Sequence, residues 1–213
     1  MRLVALHIAM STSELEPPDL IAIWSMYAVM ACWVAFFLIF VLQKKPTGQK
    51  AAKRDYVSLT GIILQVIGFA LVWNIRRDMR TPIVSMPQSL EIVLAVFAVA
   101  LAAICVWGTL AAVRTLGKQW SLSARLTEDH KLIVTGPYRL VRHPIYASMC
   151  GLMIATSIVV SRLWVLAPAL ILFAVGTLIR IRSEERLLRD QFGADYDNYS
   201  RRVRAVLPWP RRF

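Results

Sequence analysis

Eleven residues, GPYRLVRHPIY from Gly136 to Tyr146, place two arginines, a histidine, two tyrosines and two prolines at the head of an apolar stretch. Pro144 lacks a backbone donor and has a φ suited to a first helical turn, so the spacing predicts a helix beginning there, with His143 at its threshold and Arg142 just before. A helix start leaves amides without intrahelical partners at the positive end of the dipole. With Arg142 beside them, those amides make a site for the carboxylate or phosphate of a small ligand. The plainer alternative is a basic loop that anchors the helix at the lipid headgroups. Further along, in RIRSEERLLRD, Arg180 and Glu184 are spaced to share one face of a helix at its membrane boundary. Arginine N-terminal to glutamate is the weaker orientation for helix support, whereas Glu185 precedes Arg189 in the better order. Glu185 is therefore expected mainly to support its helix, and Arg180 with Glu184 to serve a site, since ionisable groups facing a bundle interior at membrane depth are functional by default.

The elements that must position these residues are apolar blocks. Hydrophobic residues make up 57% of the chain and charged residues 18%, and the apolar ones cluster in runs instead of spreading at helical spacing, which excludes an ordinary soluble domain. Spans are expected at Leu20 to Leu42, Val57 to Trp73 and Leu90 to Val113, each near the roughly 20 residues that cross a bilayer. A helical hairpin follows, from Tyr146 to Val160 and from Leu163 to Ile179, broken at Ser161 and Arg162. Its first arm is short for a full crossing. Leu3 to Met10 is too short to span, and the acidic Ser13 to Asp19 lacks a cleavage site, so this stretch reads as an interfacial arm. The expectation is an all-α integral membrane protein of about five transmembrane helices, the last two a hairpin, with a cytosolic loop and C-terminal helices. Residues 1–213 form one domain, with N-terminal spans over 1–88 and the remainder over 89–213.

The net charge of +12 raises a nucleic-acid reading, but the position of the charges argues against one. Lys44, Lys45, Lys50, Lys53 and Arg54 lie between the first two spans, and Arg114, Lys118, Arg125, Lys131, Arg139 and Arg142 between the third and fourth. Arg180 and the basic residues after it form the tail. Five spans put all three segments on one side, while the other side holds Arg2, Arg76, Arg77, Arg80 and Arg162. Positive charge collects on the cytoplasmic side, so the N-terminus is expected outside and the C-terminus in the cytoplasm, with the bilayer and no nucleic acid as partner. Cys32, Cys105 and Cys150 fall inside apolar spans and read as small core residues, without disulfide or metal-ligand spacing.

Two cytosolic segments remain for chemistry. Thr115 to His143 contains LGKQWS (116–121) and HKLIVTGPY (130–138), too apolar for a disordered linker and expected to fold against the membrane face. The second, Arg180 to Val203, reads as a helix leaving the membrane, stopped near Gly193, then a short helix carrying Tyr196 and Tyr199.

The order LGKQWS, HKLIVTGPYRLVRHPIY, hairpin, SEERLLRDQFGADYDNY resembles the isoprenylcysteine carboxyl methyltransferase family and its phospholipid methyltransferase relatives, over about the C-terminal half. The resemblance implies an S-adenosylmethionine-dependent methyltransferase with its cofactor between the RHP loop and the Glu-Glu helix. It would give His130, Lys131, Leu132 and Ile133 to the adenine as backbone groups and an apolar wall. Tyr138, His143, Pro144, Ile145 and Tyr146 would line the rest of the cofactor pocket, Glu184 and Glu185 would supply carboxylates to it, and Arg180 would face the methyl acceptor, with Arg142 beside the reacting groups. The chain departs from the family pattern at Ser148, where relatives often carry glycine.

A carboxylate such as Glu184 favours the sulfonium and ammonium of that cofactor, and helix-start amides with His143 or Arg142 favour its carboxylate. Arginine at position 180 points to an anionic acceptor, which needs no general base; an amine acceptor needs a proton removed, with His143 or Glu185 as the available bases. A lipid-borne acceptor enters sideways between spans. Methyl transfer to a lipid-linked acid thus leads over methylation of a phospholipid amine. From other classes, a sterol-type membrane reductase using a nicotinamide cofactor and a non-enzymatic transporter or scaffold are the alternatives.

Overall fold

A computed structural model describes residues 19–43, 53–54, 56–78, 81–83, 87–117, 125–126 and 132–207. Among the described residues the regular elements are helices, apart from a ladder of two residues on each side. The elements are α1 (Leu20–Leu42), β1 (Lys53–Arg54), α2 (Val57–Asn74), α3 (Gln88–Leu116), β2 (Arg125–Leu126), a 3-10 turn at Gly136–Arg139, α4 (Pro144–Val160), a second 3-10 turn at Leu163–Val165, α5 (Leu166–Phe192) and α6 (Ala194–Arg202). Antiparallel β1 and β2 pair Lys53 with Leu126 and Arg54 with Arg125, tying together two interhelical segments.

Among the described residues, four helices are long and apolar enough to cross a membrane: α1, α2, α3 and the one ending at Phe192. The fifth apolar helix, α4, has 17 residues, about 25 Å at 1.5 Å per residue, short of a 30 Å hydrocarbon core. Its surroundings explain the length. Gly151, Leu152, Met153 and every residue from Ala155 to Val160 are buried, so α4 is walled by protein, whereas Trp24, Phe37, Val96 and Trp107 on α1 and α3 face outward. Apolar residues all round a helix and apolar residues facing out are what lipid-facing bundles need. The apolar part of α5 ends at Ile179, and beyond it the helix turns polar.

Two helix layers meet on α4. α1, α3 and α4 form one, in which Trp33 Nε1 donates to Thr156 Oγ1 at 2.9 Å and its ring meets Phe69 and Trp73 of α2 at centroid distances of 5.2 and 6.1 Å. α2 and α5 form the other, crossing so closely that a Cβ on Gly176 would lie 2.6 Å from the Gly61 carbonyl oxygen. Small residues give such approaches in membranes, where burial supplies no driving force between helices. The departure at Ser148 is accommodated in the same way: it is buried, and a Cβ on Gly108 of α3 would stand 3.2 Å from its Oγ.

The bundle has two polar ends. At one, Arg77 N–H donates to Val160 O at 3.1 Å and Arg162 N–H to Ile75 O at 3.3 Å, joining the α2 terminus to the hairpin turn. At the other, Gln43 Nε2 donates to Gly117 O at 2.9 Å, and His143 and Arg180 lie at this end. The polar remainder of α5 stops at Phe192 because Gly193 takes φ +49°, a left-handed conformation that favours glycine, and α6 starts directly after it.

Candidate active site

The loop into α4 is set by one turn and one strap. Gly136 has φ +58°, and a Cβ there would meet Thr115 Oγ1 of α3 at 2.9 Å, so glycine both permits the turn and lets it seat on α3. Tyr138 follows, buried, its carbonyl accepting from the Tyr199 hydroxyl at 2.7 Å. The segment after α6 then straps the loop: Arg142 N–H donates to Arg204 O at 2.8 Å and His143 N–H to Ala205 O at 2.9 Å. His143 stands at the threshold of α4 and Pro144 is its first residue, as the sequence predicts.

Contacts between residues far apart in the chain assemble the charged centre. Arg142 donates to Glu185 Oε1 from Nε at 2.9 Å and from Nη2 at 2.7 Å, and from Nη1 to Ser200 O at 2.9 Å and to Val203 O. The His143 ring lies between both glutamates, Nδ1 3.5 Å from Glu184 Oε2 and Nε2 3.2 Å from Glu185 Oε1. It stacks on the Tyr146 ring at 5.6 Å. Tyr146 donates its hydroxyl to Glu184 Oε1 and accepts from Arg180 Nε at 2.7 Å, while the Arg180 guanidinium sits 5.2 Å from the Tyr146 ring centroid and 3.5 Å from Glu184 Oε1. Glutamate, tyrosine and arginine therefore form one connected row.

Here the expectation for Glu185 is corrected. It does not pair with Arg189, whose Nε donates to Asp197 Oδ1 at 2.8 Å on the outer surface. Glu185 turns inward to Arg142 and His143. An exposed pair one turn apart on a helix is worth a few tenths of a kcal/mol, whereas charge-assisted bonds in a partly dry site are worth about 1.5–3 kcal/mol, so the inward rotamer wins. Arg142 likewise has its donors directed at Glu185 and two carbonyls, and it braces the strap and the loop.

The electrostatics follow from this geometry. Burial alone would raise the Glu185 carboxyl, but hydrogen bonds from His143 and Arg142 outweigh it and hold it down at about 2. Burial opposes charge on His143, yet bonds to Glu184 and Glu185 raise its pKa above the ordinary 6.5. Burial raises Glu184 too, and His143, Arg180 and Tyr146 together reverse the sign and keep it low. The surroundings thus favour the ionised forms of both carboxylates and the charged form of the imidazole between them.

Exposure separates the roles. Side chains of Arg180 and His143 are 6% and 7% exposed, those of Arg142 and Glu185 11% and 15%, but that of Glu184 is 24% exposed. Glu184 is thus the most accessible of the five. Leu132 and Ile133 lie half-buried beside the loop, Ile145 half-buried on the first turn of α4, and Pro144 and Tyr146 buried there. His130 and Lys131, and positions 118–121 of LGKQWS, lie outside the described residues. The structure therefore brings Arg142, His143, Tyr146, Arg180, Glu184 and Glu185 into one cluster. The sequence does not disclose the strap at Val203, Arg204 and Ala205 or the carbonyl of Ser200, because backbone acceptors leave no side-chain signature.

Comparison with known proteins covers the same half of the chain. A probable protein-S-isoprenylcysteine O-methyltransferase of Oryza sativa subsp. indica is 35% identical over 101 residues, covering 46% of this chain and 52% of the rice protein. Protein-S-isoprenylcysteine O-methyltransferase B of Arabidopsis thaliana is 29% identical over 101 residues, 46% of this chain and 51% of that one. The nickel-cobalt-cadmium resistance protein NccN of Alcaligenes xylosoxydans xylosoxydans is 37% identical over 100 residues, 44% of each. The chain spans about half the length of these curated relatives. Residues 92–190, which carry nearly all of α3, the Gly136 turn, α4 and nearly all of α5, match the isoprenylcysteine carboxyl methyltransferase (ICMT) family, so the similarity falls on the helices that build most of the site.

Proposed function

We propose that this chain is an integral-membrane, S-adenosylmethionine-dependent methyltransferase that esterifies the carboxylate of a lipid-linked, isoprenylcysteine-like acceptor. The observation that carries the reading is the Glu184–Tyr146–Arg180 row, with an accessible carboxylate at one end and a buried guanidinium one helical turn deeper at the other.

The residues present fit the cofactor. Glu184 is the most accessible ionised group of the cluster and suits a cationic group; Leu132, Ile133 and Tyr138 supply an apolar and aromatic wall, and the α4 start supplies backbone donors toward a carboxylate. His143, Pro144, Ile145 and Tyr146 complete the lining, and Glu185 acts through His143 and Arg142. S-Adenosylmethionine supplies, when bound, a methyl on a sulfonium that leaves as a neutral thioether, so a carboxylate acceptor needs no proton moved. Arg180 binds and orients that carboxylate, and the bilayer-side wall around it excludes water. Tyr146 fixes the guanidinium and Glu184 in mutual register. Amine acceptors fit less well: Glu185, held at about 2, is a poor base, and the flanking glutamates favour the charged form of His143 over the neutral form a base requires. The end of the bundle bearing the site faces the cytoplasm in this reading, with the C-terminus, and the N-terminus lies outside. The acceptor reaches Arg180 from the bilayer.

Binding by the detergent-purified protein tests the cofactor. S-Adenosylhomocysteine should bind and NADPH should not; the reverse result replaces the reading with a membrane reductase.

A further inference from the structure

We infer that Gly61 of α2, outside the family-matching segment, is a positioning residue for Arg180, and that the α2–α5 crossing it permits is what aims the guanidinium at Tyr146. A Cβ at Gly61 would lie 2.6 Å from Arg180 Cγ, 3.4 Å from its Cδ and 2.6 Å from Gly176 O. The contact is therefore with the stem of the arginine and with backbone, neither of which is a flexible end that swings aside. Gly176 answers reciprocally, its own Cβ position meeting Gly61 O at 2.6 Å. One turn along, Gln65 Nε2 donates to Thr177 Oγ1 at 2.9 Å, both side chains buried, and this bond pins the crossing in register. Beyond it Gly68 makes a similar approach, its Cβ position 2.9 Å from Ala169 O, but far from the arginine.

The consequence is specific to Arg180. Arginine has rotamer freedom along its stem, and only a wall against Cγ and Cδ leaves one path for the guanidinium. Gly61 brings the α2 backbone up as that wall. Tyr146 takes the far end by accepting from Nε at 2.7 Å. A methyl at position 61 must push Cγ or part the helices, and either shift moves the guanidinium away from the tyrosine.

The inference rests on the acceptor role proposed for Arg180, so one readout is independent of activity. In a nitrogen–proton correlation spectrum of the full chain in detergent, the Arg180 Nε–H cross-peak is identified by its loss in Arg180→Lys. Gly61→Ala should displace or broaden that peak, whereas Gly68→Ala, a milder backbone clash at the same interface, should leave it in place. If Gly61→Ala does not fold, Thr177→Val, which unpins the crossing without added bulk, should move the same peak. In methyl transfer, Gly61→Ala should raise KM for the acceptor or lower kcat by about tenfold or more, the scale expected of a misplaced group, with S-adenosylhomocysteine affinity unchanged. An unmoved cross-peak in Gly61→Ala, or in Thr177→Val if that variant stands in, overturns the positioning role, and so do equal effects of Gly61→Ala and Gly68→Ala on peak and turnover. A displaced cross-peak with turnover intact keeps the positioning and removes instead the role of Arg180 in transfer.

Discussion

Glu184 and Glu185 are adjacent carboxylates in one cluster, and neutralising them one at a time should give opposite outcomes. Glu184→Gln removes the accessible charge while leaving an amide oxygen for the Tyr146 hydroxyl, so the fold keeps its bond and the ligand loses its ion partner. One charge-assisted contact is worth about 1.5–3 kcal/mol, or roughly 10- to 100-fold in affinity. Glu185→Gln removes the charge facing Arg142, with two bonds of 2.9 and 2.7 Å, and His143 at 3.2 Å. Removing one partner of a largely buried pair costs about 3 kcal/mol, which for a chain of this size is a fall of roughly 6–12 °C in Tm. Calorimetric titration with S-adenosylhomocysteine and a melting curve on each variant measure both quantities. Glu184→Gln should show the affinity loss with Tm within a few degrees of wild type, and Glu185→Gln the Tm loss with a smaller change in affinity. Unchanged affinity in Glu184→Gln would refute the assignment of its carboxylate to the cofactor.

Three further outcomes follow from the same centre. His143→Ala should lose most of the rise in Tm that added S-adenosylmethionine gives the wild type; an equal rise returns the loop to a simple lipid anchor. Arg180→Ala should abolish transfer to the acceptor while S-adenosylhomocysteine affinity stays nearly intact, because its side chain is buried at the bilayer side of Glu184. The raised His143 stabilises its charged form, so its contribution is complete below pH 6.5 and is lost as pH rises through its elevated folded value. The depressed Glu185 contributes above pH 4.5 and is lost as pH falls toward about 2. Melting temperature should therefore hold between pH 4.5 and 6.5 and decline above, and His143→Gln should flatten the alkaline decline; an unaltered slope would exclude His143 as its source.

Much of this architecture is legible in the chain because hydrophobic blocks have sharp edges. α1 runs from Leu20 to Leu42 as the apolar run does, while α4 starts at Pro144 and α5 stops before Gly193, the last two boundaries being written in a residue with restricted or unusual backbone freedom. The ends of α3 extend past the apolar run, to Gln88 and Leu116, since a helix continues through polar residues until something stops it. The centre is less legible. Arg142 and Glu185 are 43 residues apart, and no local spacing marks such a pair; the helical rule sees Arg189 one turn away and so misassigns Glu185. Gly61 and Gly176 read separately as two glycines in apolar runs, and only the crossing of α2 on α5 makes them one device.

The most direct test of the proposed chemistry is transfer of radiolabelled methyl from S-adenosylmethionine by the purified full chain, offered a farnesylated cysteine analogue and, separately, phosphatidylethanolamine. Base-labile methyl ester on the farnesylated acid, abolished in Arg180→Ala and absent from the amine lipid, is the predicted result. Label on the amine lipid alone, surviving the loss of Arg180, would contradict both the acidic acceptor and the role of that arginine.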